Sequence, residues 1–109
     1  MDDIRRAYVY TQKKYAGILN ETDEGYSFVY DKDYLKSEDA LPVSITLPLR
    51  DEEYISKTLF SFFDGLIPEG WLFEATIKNW KLDRNDRFGI MLVTCRDSVG
   101  DVEILTEMR

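Results

Sequence analysis

The sequence predicts an α+β domain: a small mixed or antiparallel sheet with an N-terminal meander, packed against two main helices and closed by a C-terminal strand. Its 109 residues fit one domain and are short for two. Hydrophobic residues make up 44% of the chain and aromatic residues 14%, enough for one core. The hydrophobic period changes from about two residues to about 3.6 along the chain, as expected where strands give way to helices. No linker or repeat interrupts the sequence, so we expect a single domain over residues 1–109.

Three strands are predicted at the N-terminus. Residues 4–10 and 14–20 are β-branched and aromatic runs separated by a short polar stretch, the pattern of a hairpin. Beyond a stretch rich in turn formers, residues 26–30 alternate aromatic and smaller side chains, the period of a half-buried strand. Together they predict a meander, followed by one short helical turn at residues 31–37.

Two further strands are expected outside the meander. Residues 43–49 alternate again, with Val43, Ile45, Leu47 and Leu49 on one side. Because Pro48 has no N–H to donate, this strand should lie at an edge or end of the sheet. Residues 102–106 follow a turn and predict the closing strand.

Two amphipathic helices are predicted in the second half of the chain. The first has Ser56 as its N-cap and a continuous apolar face within residues 59–67, which includes Phe62 and Phe63 as core residues. The second runs from about Pro68 to Trp80 or Leu82, with an inward stripe of Phe73, Ile77 and Trp80. Residues 88–94 suit either a short buried helix or a strand, and periodicity does not decide between them.

Composition and charge exclude several classes of function. With 14 basic and 21 acidic residues the net charge is −7, which disfavours direct contact with nucleic acid. The chain has no histidine, which removes histidine-based triads and metal ligands, and its single cysteine, Cys95, cannot form an internal disulfide. The longest nearly apolar stretch, residues 89–95, is too short to cross a bilayer. We therefore expect a soluble cytoplasmic protein.

The residues predict no active site, cofactor or metal ion. Cys95 and Ser98 lack a histidine that would activate them as nucleophiles. Asp83 and Asn85 begin like a calcium loop, but Arg87 stands where another oxygen ligand belongs, so a polar turn is the better interpretation. A small enzyme that uses carboxylates alone remains an alternative, and it would need paired carboxylates with perturbed pKa values.

The segment from Pro68 to Trp71 has two interpretations. It is an ordinary helix start if Pro68 occupies the first helical position and Glu69 lies at the positive end of the helix dipole. On a helical wheel, however, Trp71 points away from the inward stripe. Tryptophan in such a position is a common anchor in protein interfaces, so the residues alone leave both interpretations open.

Several ordered motifs resemble the N-terminal subdomain of HipA-like kinase toxins. Residues 59–70 (LFSFFDGLIPEG) resemble the family signature F-F-D-N-L-L-P-E-G. The other matching segments cover most of the remaining chain; they are residues 16–19, 26–31, 41–49, 88–89 and 96–100. Two departures lie in the closing segment, where Cys95 replaces the usual glycine and Asp101 a small residue.

The resemblance implies a non-catalytic function. In this family the ATP-binding loop, catalytic aspartate and metal ligands belong to a kinase core that lies downstream, whereas this sequence ends at Arg109. It looks like the stand-alone form, a HipS-like antitoxin of split HipBST systems. Its partners would be a HipA/HipT-like Ser/Thr kinase core and a HipB-like DNA-binding protein in the same complex. We expect Trp71 to be the central anchor of the partner interface, rimmed by Glu69, Gly70, Lys78 and the exposed edge of Phe73.

Two alternatives to the stand-alone antitoxin stay open besides the carboxylate enzyme. The chain would be the N-terminal fragment of a full-length HipA-like kinase if it supports that kinase's core and contacts a DNA-binding antitoxin. It would be an unrelated acidic interaction module if the resemblance is only architectural.

Overall fold

The computed structural model describes residues 5–94 and 102–108 and contains one antiparallel sheet. Its five strands lie in the order β4-β3-β2-β1-β5; they are β1 (Arg5–Thr11), β2 (Lys14–Thr22), β3 (Gly25–Tyr30), β4 (Tyr54–Ser56) and β5 (Val102–Leu105). Four helices accompany them: α1 (Lys32–Leu35), α2 (Ser61–Asp64), α3 (Gly70–Trp80) and α4 (Arg87–Thr94). The predicted α+β class, N-terminal meander and closing strand are confirmed.

A tight turn joins β1 to β2. Gln12 and Lys13 both have positive φ, 51° and 68°, and Thr11 pairs directly with Lys14. Two consecutive residues of this kind match the right-handed twist of the flanking strands. The predicted hairpin therefore forms even though the turn contains no glycine.

One face of the sheet carries the core. Ala7 and Val9 of β1 are fully buried, and their partners across the sheet continue the same face. From the other side α2 contributes Phe63, and α4 contributes three buried side chains, Phe88, Ile90 and Met91. The segment 88–94, for which the sequence allowed two structures, is thus a helix that covers the inner face of the sheet.

Residues 43–49 do not form the predicted strand. They form a turn in which Leu47 N–H donates to the carbonyl of Ser44 at 3.0 Å, and Ile45 at its tip is 94% exposed. The phenol of Tyr30 donates to the carbonyl of Leu47 and accepts from Val43 N–H, so a tyrosine in β3 supplies bonds that a neighbouring strand would otherwise make. The edge strand next to β3 is instead β4.

The first predicted helix is also shorter than expected. Ser56 ends β4, where it pairs with Tyr26, and it is not a helix N-cap. Only Ser61–Asp64 is helical, because the hydrogen bonds shorten from four residues to three after Gly65 and Pro68 then excludes the helical conformation before it. The apolar members Leu59, Phe63 and Ile67 are still buried.

The second predicted helix is confirmed as α3. Glu69 is its N-cap, so Pro68 precedes the helix and does not occupy its first position. Phe73 and Ile77 pack against the core as predicted, but Trp80 is 54% exposed, and its assignment to the inward stripe is wrong. The stripe is therefore covered at Phe73 and Ile77 and exposed at Trp80.

Some predictions fall outside the described residues, namely those for Cys95, Ser98 and the turn at 96–100. Within residues 5–94 and 102–108, no helix has the length and apolar character needed to cross a bilayer.

Candidate partner-binding surface

The most exposed large hydrophobic side chain of α3 is Trp71, in the first turn of the helix. It is 80% exposed, and the adjacent Leu72 is 45% exposed. Trp71 points away because Phe73 and Ile77, on the opposite side of the helix, make the contacts with the core. An exposed tryptophan beside an exposed leucine is an apolar surface, which we call the Trp71 surface together with Glu69, Gly70 and Lys78.

The structure brings most of the predicted interface residues together. Glu69 and Gly70 are exposed and directly precede Trp71. Lys78 is exposed on the same side of the helix, two turns further along. Phe73 is half-buried on the opposite side of α3, where the Arg87 guanidinium of α4 lies 5.8 Å from its ring centre.

The backbone at Gly70 leaves open space beside Trp71. Gly70 has φ of +66°, and a β-carbon there would meet no atom of the described chain within 4 Å. Glycine adopts this conformation without steric cost, whereas most other residues do not. A second molecule could therefore approach the backbone closely next to Trp71.

Besides Trp71, two apolar residues of α3 are exposed that the sequence analysis did not predict as exposed, Leu72 and Trp80. Leu72 lies about 100° from Trp71 on a helical wheel, outside the inward stripe, which was a usable signal of its exposure. Trp80 gave no such signal, because its position on the wheel is beside Phe73. Periodicity gives the direction of a side chain from the helix axis and not whether another element covers it.

Two ion pairs connect α3 and its surroundings to the domain. Arg87 Nε donates to Asp64 Oδ1 at 2.7 Å, and the Arg87 guanidinium lies 5.8 Å from the centre of the Phe73 ring. The hydrogen bond to Asp64 raises the pKa of Arg87. Nearer the end of α3, Arg84 donates to Glu74 at 2.6 Å, a bond that lowers the pKa of Glu74.

A second cluster, which includes the residue before Arg87, holds two carboxylates around one arginine. Arg5 donates to Glu21 at 2.6 and 2.8 Å and to Asp86 at 2.6 and 2.9 Å, and its guanidinium lies 5.2 Å from the Phe88 ring centre. These bonds lower the pKa of Asp86. A general acid at neutral pH needs a raised carboxyl pKa, so the cluster has the chemistry of a structural link between the sheet and α4.

Metal-ligand clusters and clefts that could hold a ligand are the remaining candidate sites in the described part of the chain. In the ranges 5–94 and 102–108, no group of three potential metal-ligating side chains lies together. A cleft of about 370 Å³ is lined by Tyr26, Lys57, Asp64 and Arg87, among others. Its carboxylate is Asp64, which is already paired with Arg87.

Comparison with known proteins gives a consistent result. The family model of the HipA N-terminal domain matches residues 7–105. The chain belongs to the HipA N-terminal domain family. An uncharacterized protein of Haemophilus influenzae is 31% identical over 106 residues, which cover 97% of this chain and 96% of that protein. A solved structure, the N-terminal domain of HipA toxin, has a TM-score of 0.72 and 28% identity over 96% of this chain and 94% of its own.

The family signature has a structural function in this HipA N-terminal domain. Residues 59–70 form α2 and the approach to α3, and Leu59, Phe63 and Ile67 within them are buried. Asp64 of the signature is the partner of Arg87. The segment therefore fixes where α3 begins, and Trp71 follows it directly.

Proposed function

We propose that this chain is a non-catalytic subunit of a HipA-type toxin–antitoxin system, which binds and neutralises a Ser/Thr kinase toxin core encoded in another chain. The observation that carries the proposal is the family match, which extends over residues 7–105 of 109. The matched family is that of the N-terminal domain of HipA, so the matched residues 7–105 correspond to that domain and not to a kinase core. The Haemophilus influenzae relative, matched over 96% of its own length, is itself a protein of about this size, which favours a stand-alone subunit.

The Trp71 surface is the docking site in this proposal. Complete burial of tryptophan removes about 250 Å² from water, so the exposed 80% of Trp71 offers about 200 Å² to a partner. At about 25 cal/mol per Å² this corresponds to an upper limit of about 5 kcal/mol. Glu69, Gly70 and Lys78 would form the rim, with the open backbone at Gly70 allowing close approach, whereas Phe73 supports α3 from the opposite side.

The partners follow from the same proposal. The first is a HipA/HipT-like kinase core, and a HipB-like DNA-binding protein belongs to the same complex. The net charge of −7 supports indirect attachment to DNA, because a phosphate backbone repels an acidic surface. We further infer that this binding takes place in the cytoplasm, since a single cysteine provides no disulfide framework.

The test is co-expression of this chain with the kinase core encoded beside its gene, as wild type, Trp71→Ala and Trp80→Ala. Trp80→Ala is the matched control, because it removes the same side chain from the same helix on a different side. We expect Trp71→Ala to weaken binding about 30- to 1,000-fold, as for an interface hot spot, and Trp80→Ala to weaken it less than about five-fold. Autophosphorylation and growth arrest by the kinase should return with Trp71→Ala alone.

Two outcomes would refute the proposal. Equal binding by both tryptophan variants would remove Trp71 as the anchor. If the kinase core lies in the same reading frame as this chain, the chain is the N-terminal domain of a full-length HipA-like kinase, and its function is support of that core.

A further inference from the structure

Helix α3 is only lightly attached to the rest of the domain. All of its residues are described, and none of them is fully buried. Phe73 and Ile77 are its half-buried contacts with the core. Its first residue, Gly70, has a positive φ of 66°, and Lys81, which follows its last residue, has a positive φ of 53°. The direction of the helix therefore depends on a small number of side-chain contacts.

Arg87 supplies one of these contacts. Its Nε donates to Asp64 in α2 at 2.7 Å, while its guanidinium lies 5.8 Å from the Phe73 ring centre in α3. Arg87 is itself the first residue of α4 and thus connects three helices. A planar guanidinium can donate a hydrogen bond in its plane and cover an aromatic ring with its face at the same time.

The residues on either side of Arg87 are held in place by contacts with the rest of the domain. The next residue, Phe88, is fully buried. The preceding residue, Asp86, accepts from Gly89 N–H at 3.2 Å and from both terminal nitrogens of Arg5. The start of α4 is thereby fixed to the sheet, so a side chain that begins there can hold a neighbouring helix in one orientation.

We propose that Arg87 is the positioning residue for the Trp71 surface: by joining Asp64 to Phe73 it sets the orientation of α3 and hence the direction of Trp71. This inference rests on the proposed function for its effect on partner binding. The other ion pair of α3, between Glu74 and Arg84, has both side chains more than half exposed and is weakened by solvent. It therefore serves as an internal control for an arginine contact that does not set the orientation.

The first experiment uses the isolated chain and needs no partner. Amide hydrogen exchange is measured for Arg87→Gln, for Asp64→Asn, which releases the same guanidinium, and for the control Arg84→Gln. We expect exchange within α3 to rise about ten-fold for Arg87→Gln and Asp64→Asn, the change that one half-exposed ion pair and one cation–π contact support. Exchange in β1 to β3 should stay within about two-fold, and Arg84→Gln should change α3 less than about three-fold.

The second experiment measures the affinity of the same variants for the kinase core. Arg87→Gln should weaken binding about ten-fold, by more than Arg84→Gln does, while Trp71 itself is intact. Equal effects of the two arginine variants on α3, or faster exchange throughout the sheet with Arg87→Gln, would overturn the inference. So would unchanged affinity of Arg87→Gln for a core that the wild type binds. If the wild type binds no kinase core, the proposed function fails, and hydrogen exchange alone decides whether Arg87 holds α3.

Discussion

Replacement of Tyr30 by phenylalanine removes one oxygen atom that joins the sheet to the turn at residues 43–47. Tyr30 is 2% exposed, and its phenol donates to the carbonyl of Leu47 and accepts from Val43 N–H, the latter at 3.0 Å. Val43 and Leu47 are themselves buried. The substitution keeps the aromatic ring in the core, so its effect reports on the two hydrogen bonds and not on a cavity.

The expected cost follows from the two backbone groups left without a partner. Each buried polar group that loses its hydrogen bond costs about 1–3 kcal/mol. Because the turn lies at the surface and water can reach it once it relaxes, we take the lower end and expect a loss of about 2 kcal/mol. For a domain of this size that corresponds to a decrease in Tm of about 8 °C.

Urea denaturation at neutral pH measures this loss, with Tyr8→Phe as the matched control. Tyr8 lies on the outer face of the sheet, between Ala7 and Val9, which face the core. We expect Tyr8→Phe to change the free energy of unfolding by less than about 0.5 kcal/mol. If both variants unfold at the same urea concentration as the wild type, the phenol of Tyr30 does not hold the turn.

The same residue makes a prediction about alkaline pH. Burial raises the pKa of Tyr30 from 10.0 to about 12. As the pH rises, the phenol of Tyr30 loses its proton in the unfolded chain before it does so in the folded one. The contribution of Tyr30 to the free energy of unfolding is therefore intact below about pH 10 and decreases as the pH rises toward about 12. Subtracting the curve of Tyr30→Phe from that of the wild type should isolate this decrease, and parallel curves would contradict the assignment.

Two further predictions concern the link to α4 and the packing of β2. Arg5 lowers the pKa of Asp86 from 3.8, so its stabilising contribution is present above about pH 4 and is lost as the pH falls below that value. Asp86→Asn should cost about 1 kcal/mol at pH 7 and reduce the acid dependence of the free energy of unfolding, whereas an unchanged acid dependence would contradict the link. A β-carbon at Gly17 would lie 2.4 Å from the carbonyl oxygen of Val29 and 3.0 Å from the Phe28 ring. Gly17→Ala should therefore destabilise the domain by about 2–3 kcal/mol in thermal unfolding, and a change below about 0.5 kcal/mol would show that the strands move apart freely.

The meander and α3 could be predicted because their signals are local. The strands β1 to β3 follow one another in the sequence, and each contributes buried residues to the core. Strand pairing between neighbours needs only a turn of the right length, which the sequence contains. The family resemblance rested on motifs spread along the same segments, and the match over residues 7–105 confirms the family.

The failures have a common physical cause in contacts between residues distant in sequence. Alternation in residues 43–49 suits a strand, but the phenol of Tyr30 satisfies Val43 and Leu47 from a distance of 13 and 17 residues. The apolar arc of residues 59–67 suits a helix, yet the residues before it belong to the sheet because Ser56 pairs with Tyr26. In both cases most of the apolar side chains face the core as expected, Ile45 being the exception, while the backbone makes different hydrogen bonds.

The exposure of Trp71 and the charge of the chain together indicate whether the partner is a second copy of this chain or a different protein. An exposed tryptophan beside an exposed leucine would favour self-association in a neutral protein. Each copy of this chain carries a net charge of −7, so two copies repel each other, most strongly at low ionic strength. A partner with a basic rim around an apolar pocket is attracted over the same distance and buries Trp71 on contact. The combination therefore favours a different protein over a second copy, and it is one reason to look for the occupant of the Trp71 surface in another chain.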